Sequence, residues 1–198
     1  MTYAVTTIVL TLVIAAPAAL VIARHTNLST HVMTGWIRIA QVVGGIVVII
    51  PVYVTLRSIG LTDTLLGVSP AELIPSSAVG IWLLIGFVRQ IPVEFEEAAR
   101  IDGASEWQVL RHITMPLIRP GLVSVILVVF MASWNDFLNP LILLSTPDRY
   151  TVMIALFSFL GQIGQVSSGG LLAYATLSCL IPFAVKGTLL LETGDQGS

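Results

Sequence analysis

The chain has 198 residues, of which 56% are hydrophobic and only 10% are charged. Because soluble domains carry roughly 25% charged residues, this composition excludes a water-soluble globular protein and indicates an integral membrane protein. The net charge of −2 at pH 7 also excludes a basic nucleic-acid-binding protein, which would need a cluster of cations to neutralise phosphates.

Five apolar stretches are long enough to cross the roughly 30 Å hydrocarbon core of a membrane as helices. They lie at about 3–23, 36–56, 74–91, 121–144 and 170–190. The apolar run at 152–160 is too short to cross, and we interpret it as a surface or re-entrant helix. Alternating ten-residue strands are absent from the sequence. We therefore predict an all-α fold, a polytopic transmembrane helical bundle of about five spans, which forms one domain over residues 1–198.

The basic residues are unevenly divided between the two sides of this predicted bundle. One side carries only Arg57 and Arg149, whereas the other carries seven basic residues: Arg24, Arg38, Arg89, Arg100, Arg111, Arg119 and Lys186. Lys and Arg are enriched in cytoplasmic loops, so the side with seven is predicted to be cytoplasmic. This orientation places Met1 outside and the C-terminus in the cytoplasm.

The polar segment 92–120 lies between the third and fourth predicted spans. Pro92 suits a first helical position, and Glu94, Glu96 and Glu97 complement the positive end of a helix dipole. We expect this helix to end at Gly103, since glycine tolerates the left-handed conformation of a C-terminal cap.

A second short helix is predicted to follow directly. Ser105 and Gln108 have the spacing of a capping box, and we expect Pro116 to end the helix. Apolar residues three and four positions apart form one stripe along it: Trp107, Val109, Leu110 and Ile113. Two short helices that meet at a glycine form a compact unit rather than a flexible linker.

The motif in this segment resembles a known family. Glu97-Ala98-Ala99, Gly103 and the run Ile113-Thr114-Met115-Pro116 resemble the EAA loop of permease subunits in binding-protein-dependent ABC importers. The stretches Ile101–Ser105, Gly60–Thr64 and Trp134–Phe137 resemble the carbohydrate-uptake branch, and most closely its maltose-type second permease.

The resemblance implies a role for the loop and a set of partners. Residues 93–116 would dock on a separate ATPase subunit, which would bind the ATP, so this chain would be neither an enzyme nor a cofactor-binding protein. The residues implied in coupling are Glu97, Ala98, Ala99, Asp102, Gly103, Ile113 and Pro116. The other implied partners are a second homologous permease, an extracytoplasmic solute-binding protein and membrane lipid. The location implied is the cytoplasmic membrane of a bacterium or an archaeon.

The loop has one alternative interpretation, an amphipathic helix that lies on the membrane surface. Such helices are usually rich in Lys and Arg, whereas residues 93–102 carry four acids and one arginine. Docking on a protein partner is therefore the favoured interpretation.

Three polar or aromatic residues interrupt the fourth predicted span. Trp134, Asn135 and Asp136 lie within this span, where an ionisable side chain costs free energy because it is removed from water. Ionisable groups at membrane depth are therefore functional candidates by default. We consider them as a lining of the translocation pathway. The alternative is that Asp136 caps a helix break before Pro140.

Patterns for other chemistry are absent. The single cysteine, Cys179, excludes a disulfide scaffold, and no two of the histidines have the i, i+4 spacing of a helical metal site. The single lysine, Lys186, belongs to no Gly-Lys-Ser/Thr phosphate-binding loop. We expect no catalytic residue, metal or cofactor in this chain.

A self-sufficient secondary transporter or channel is the alternative function. That class commonly shows internal repeats and midplane carboxylates, whereas this sequence shows no repeat and Asp136 is its one candidate carboxylate. The usual first span of the resembled family is absent, and we expect an upstream helix to be missing.

Overall fold

The computed structural model describes residues 2–25 and 28–161, together with residues 176 and 180. Every regular element in these ranges is helical: α1 (Thr2–Arg24), α2 (Leu28–Ser58), α3 (Leu65–Arg89), α4 (Val93–Ile101), α5 (Glu106–Val109), a π-helical segment (Leu110–Thr114), α6 (Met115–Leu117), α7 (Arg119–Asn135), α8 (Leu138–Leu143), a 3₁₀ turn (Pro147–Arg149) and α9 (Val152–Gly161). The predicted all-α fold is confirmed. Apart from residues 176 and 180, the predicted span at 170–190, with Cys179 and Lys186, lies outside the described residues.

The main core lies where α1, α3 and α7 meet. Ala15 and Ala19 of α1 are fully buried together with Leu84 of α3 and Val125 of α7. Gly80 of α3 sits at the centre, since a Cβ atom added there would lie 3.2–3.3 Å from side chains of both neighbouring helices. Small residues permit this close approach, which is how helices associate in lipid.

Two helices in the described part of the chain are long and apolar enough to cross a membrane alone. These are α1 and the part of α3 from Gly67 to Arg89, while α2 contributes the shorter apolar segment Val47–Ser58. Large apolar side chains such as Val13 and Ile50 are exposed on their outer surfaces. A contiguous apolar exterior of this kind suits contact with lipid.

The third span begins earlier than the sequence predicts. We expect it at 74–91, but α3 begins at Leu65, where the side chain of Thr64 caps its first turn. Polar residues interrupt the apolar sequence of this helix, and their side chains are buried inside the bundle: Ser69, Glu72 and Ser76. Their polarity is satisfied within the bundle and does not mark a helix boundary.

The fourth predicted span, 121–144, is not one helix. The chain leaves the α-helical conformation at Asp136, and α8 begins two residues later at Leu138. The Asp136 carboxylate accepts a hydrogen bond from the backbone N–H of Asn139, at 3.2 Å. Asp136 therefore caps the break before Pro140, as the alternative interpretation of this residue requires.

At one end of the bundle, two loops are joined by a single carboxylate. Asp63, between α2 and α3, accepts hydrogen bonds from the backbone N–H groups of Ser145 and Thr146 and from the Thr146 hydroxyl, at 2.6–3.0 Å. Arg149 pairs with the same carboxylate at 3.2 Å. Asp63 has a φ of +59°, which aspartate tolerates better than most residues.

Candidate functional site

The 92–120 loop lies at the other end of the bundle and forms two short helices. Gly103 has a φ of +85°, and α4 ends just before it, as the sequence predicts. The predicted capping box of Ser105 and Gln108 is present at the start of α5. The first helix begins at Val93, so Pro92 is its N-cap residue and not its first helical residue.

An ion pair joins the two helices on their exposed side. The Arg100 guanidinium donates to both carboxylate oxygens of Glu106, at 2.7 and 3.0 Å. These hydrogen bonds raise the pKa of Arg100 and lower the pKa of Glu106. The pair, the glycine turn and the capping box together define how the two helices join.

The outward face of the loop is unpartnered in the described part of the chain. Glu97 and Ala98 are exposed, and Ile101 and Trp107 are 87% and 66% exposed. Asp102, Gly103 and Ile113 line one shallow cavity between the two helices. The structure thus brings most of the predicted coupling residues to one surface that mixes acidic and apolar groups; Ala99 and Pro116 are partly buried behind it.

The inward face carries a buried acid that the sequence did not single out as a site residue. Glu96 is only 5% exposed and accepts hydrogen bonds from Arg24 of α1 at 2.7 Å and from the Thr114 hydroxyl at 3.1 Å. Arg24 also donates to the backbone carbonyl of Ile91, just before α4. Arg24 at the end of α1 therefore holds the first helix of the loop, and Glu96 links that helix to Thr114 of the second. No local pattern reveals this contact, because Arg24 and Glu96 are 72 residues apart.

The second helix of the loop continues beyond Pro116, contrary to the prediction. It passes through the π-helical segment, in which the N–H of Met115 bonds to the carbonyl of Leu110, and ends at Leu117. The wider π turn accommodates a proline that cannot donate the usual i→i−4 bond. The chain then bends by 64° at the fully buried Ile118 and enters α7.

Close packing joins this bend to α3. Ile118 is buried in one cluster with Val88 and Ile91. A Cβ atom at Gly121 would lie 2.7 Å from the ring of Phe87, so α7 and α3 touch at that point. The loop is thus in direct contact with the ends of α1, α3 and α7.

The three candidate pathway residues point to different surroundings. Trp134 is buried against Phe130, with ring centroids 5.6 Å apart, and lines a cavity of about 160 Å³ with Ser133 and Thr151. The exposed Asn135 donates to the carbonyl of Met131 within its own helix, at 2.7 Å. Asp136 turns into the bundle. The structure therefore does not gather these three residues into one site.

Asp136 belongs to a polar network inside the bundle. Its carboxylate accepts from the Tyr3 hydroxyl at 2.6 Å and from the Asn139 amide at 3.0 Å. The same amide donates to Glu72 at 3.2 Å, and Glu72 accepts from Ser76. The carboxylates of Asp136 and Glu72 thereby join α1, α3 and α8 to the break between α7 and α8.

Glu72 is a second carboxylate of this region, and it was not among the residues predicted from the sequence. The cause was the predicted start of the third span at 74, which left Glu72 in a loop. The polar residues Ser69, Glu72 and Ser76 lie at i, i+3 and i+7 along an apolar helix, and this spacing would have placed them on one face. Elsewhere, residues 2–25 and 28–161 contain no group of three His, Cys, Asp or Glu side chains that could hold a metal ion.

Comparisons with known proteins agree on one family. The profile described as "Binding-protein-dependent transport system inner membrane component" matches residues 12–191. A putative ABC transporter permease protein from Streptomyces antibioticus is 36% identical over 92% of this chain and 80% of its own length. The trehalose transport system permease protein SugB of Mycobacterium tuberculosis is 31% identical over 90% of this chain, which spans 65% of the relative's length.

A solved structure shares the fold. It is a bacterial ABC transporter involved in the import of the acidic polysaccharide alginate, and it matches with a TM-score of 0.70 over 98% of this chain and 71% of its own. The identity is 23%, so this likeness concerns the fold alone.

Proposed function

Because this chain belongs to the family of binding-protein-dependent transport system inner membrane components, we propose that it is a permease subunit of an ATP-driven ABC importer. The proposed solute is a sugar or an oligosaccharide. Relatives named for trehalose, glucose and trehalose/maltose transport support this class. ATP is bound and hydrolysed on a separate ATPase chain, and this chain carries the solute pathway.

The observation that carries the proposal is the two-sided 92–120 loop. Its outward face presents Glu97, Ala98 and Ile101 without an internal partner, while its inward face is held by Arg24. A displacement of the outward face of such a unit is therefore passed on to the helices that hold its inward face. Residues 93–116 dock on the ATPase, and Glu97 faces a basic group there. ATPase closure then displaces the loop and, through Ile118, the helix α7.

Trp134 is the residue of the break region that we assign to the solute pathway. Its indole and the buried hydroxyl of Ser133, which has no hydrogen-bond partner, line the same cavity. An aromatic face with a few polar groups suits a hydroxyl-rich solute. Asp136 and Asn139 act instead by holding the helix break beside that cavity.

The proposed setting follows from the charge distribution and the family. The chain spans the cytoplasmic membrane of a bacterium or an archaeon, with the 92–120 loop and the C-terminus in the cytoplasm. It assembles with two ATPase subunits and a second homologous permease, and receives solute from an extracytoplasmic binding protein.

Glu97→Lys tests the docking surface most directly. The chain is co-expressed with the ATPase and second permease of its own transport system, and the complex is purified in mild detergent. We expect Glu97→Lys to reduce the recovered ATPase about tenfold, since it reverses the charge that meets the basic partner. Asp148→Lys is the matched control, because it makes the same charge change on an exposed residue at the other end of the bundle.

The outcomes separate the two functions. Recovery of the ATPase with the wild type and with Asp148→Lys, but not with Glu97→Lys, supports coupling through the loop. Solute uptake by the purified chain in vesicles without ATPase or ATP would favour a secondary transporter or channel. Gly103→Pro provides a second variant, since proline cannot adopt a φ of +85°, and normal ATP-driven uptake by it would contradict the rigid-loop role.

A further inference from the structure

A groove between α2 and α3 lies at the same end of the bundle as the 92–120 loop. The amide of Gln41 on α2 donates to the carbonyl of Ala78 on α3, at 3.1 Å, which fixes the antiparallel register of the two helices. Residues that precede Gln41 therefore lie beside residues that follow Ala78. A cavity of about 340 Å³ opens between them, bounded by Thr34 and Arg38 on one side and by residues 82–90 on the other.

Two cations line this groove without an acid. Arg38 and Arg89 both contribute to its walls, and none of the aspartates and glutamates that the structure describes does. Both side chains are exposed, and neither has an ion-pair partner among the described residues, in contrast to Arg24, Arg100 and Arg149. Two like charges that share one groove repel each other unless an anion lies between them.

The depth of the groove matches the head-group region of a membrane. Arg89 is the last residue of the membrane-crossing helix Gly67–Arg89. Trp82 lies seven residues earlier, about 10 Å deeper at the rise of an α-helix, and its indole is 51% exposed. Tryptophan and arginine at the ends of a transmembrane helix are typical of the interface between head groups and acyl chains.

The groove also has room and apolar flanks. Apart from its own helix, nothing in the described part of the chain lies within 4 Å of the position that a Cβ would take at Gly86, midway between Trp82 and Arg89. Leu83, Ile85 and Phe87 line the same cavity. The cations thus sit beside an apolar surface at the level where a phosphate and the start of an acyl chain would lie.

We propose that this groove binds the head group of an anionic phospholipid, with Arg38 and Arg89 contacting its phosphate and Trp82 packing on its glycerol and upper acyl region. Basic pockets between transmembrane helices bind anionic head groups in this way. A free phosphate would gain the charge contacts but nothing from the apolar flanks, and its site would not need to lie at membrane depth. This proposal depends on membrane insertion and not on the importer function.

The test is lipid retention by the full chain in a mild detergent, measured by native mass spectrometry with phosphatidylglycerol or phosphatidylcholine added. We expect the wild type to retain phosphatidylglycerol preferentially. Each lost arginine should lower that retention about fivefold, so the Arg38→Gln/Arg89→Gln double variant should lose the preference. Arg38→Lys/Arg89→Lys should keep most of it, because the charge is conserved.

Two single variants control for the loss of one positive charge outside the groove, one on α2 and one on α7. Arg57→Gln makes the same change at the far end of α2, and Arg119→Gln makes it at the start of α7, outside the groove. Retention unchanged in both supports a built site. A loss in Arg119→Gln or Arg57→Gln as large as the loss in Arg38→Gln or Arg89→Gln alone would overturn the proposal in favour of a diffuse basic surface.

Two further outcomes would also overturn it. Displacement of the lipid by a tenfold excess of inorganic phosphate would assign the groove to a free anion. Loss of bound phosphatidylglycerol when the second permease assembles with the wild type would assign the groove to a protein interface. Retention in both experiments supports the lipid site.

Discussion

Asp63 is a single residue on which the contact between two loops depends. Four groups from residues 145–149 meet its carboxylate. The hydroxyl of Thr146, followed by the two backbone N–H groups, lowers the pKa of Asp63 from 3.8 to about 2. Because the folded-state pKa is lowered, the contact stabilises the folded state above the unfolded-state value near pH 4. That contribution is lost as the pH falls through about 2.

Thr146→Val is expected to raise the pKa of Asp63 from about 2 towards 3.8, since it removes the hydroxyl that lowers it most. A ¹³C NMR titration of labelled aspartate carboxyl groups measures this value directly. Ser145→Ala is the matched control, because Ser145 contributes its backbone N–H and not its side chain. An unchanged pKa in Thr146→Val would show that the hydrogen bond does not form.

At the scale of elements, the 92–120 loop and the membrane helices differed in how far the sequence predicted them. Gly103 and the Ser105–Gln108 capping box are local signals, so the turn and the second helix start were predictable within a residue. The start of α3 was predicted at 74 rather than at Leu65, although Thr64 is a local cap, and the break at Asp136 was predicted only as an alternative. The contact of Asn139 with Glu72 was not predicted. Contacts between distant residues have no local signature.

Glu96→Gln is expected to loosen helix α4 from the rest of the bundle by roughly 2–3 kcal/mol, because it removes a charged partner from the buried end of Arg24. Hydrogen exchange of the backbone in residues 93–101 measures this local opening. Glu97→Gln makes the same chemical change one residue along on the exposed face, and should leave exchange unchanged.

A double-mutant cycle with Arg24→Gln isolates the pair. The coupling between Arg24 and Glu96 should be about 1–3 kcal/mol, as for groups in direct contact. Additive effects of the two substitutions would contradict a direct interaction. If Glu97→Gln loosens the helix as much as Glu96→Gln, the buried position of Glu96 is not the cause.

At the scale of the whole molecule, the bundle is organised around the junction at which α1, α3 and α7 all contact one another. The alanines of α1 and Gly80 of α3 set the distances between these helices. Helix α1 reaches the polar network at its start through Tyr3 and the 92–120 loop at its end through Arg24. The sequence predicted α1 as a span but not as the helix that connects both ends, since its partners lie far along the chain.

Gly80→Leu is expected to destabilise the bundle by about 1–3 kcal/mol, since the added side chain would enter the junction of three helices. Gly86→Leu on the same helix is the control, because open space surrounds that position. Thermal unfolding in detergent, followed by size-exclusion chromatography of the heated samples, compares the two. A larger loss of stability in Gly86→Leu than in Gly80→Leu would contradict the packing described for α1 and α3.

The π-helical segment Leu110–Thr114 has a consequence for changes in chain length. Its bonds run from i to i−5, so one residue can be deleted there and the remaining chain closes into an ordinary α-helix. Each residue of an α-helix turns the chain by about 100°. The deletion would therefore rotate α5 about its own axis relative to α7, and it would place Pro116 in an α-helical turn where one carbonyl has no N–H partner. Thus the deletion of one residue would change the direction in which the whole loop faces.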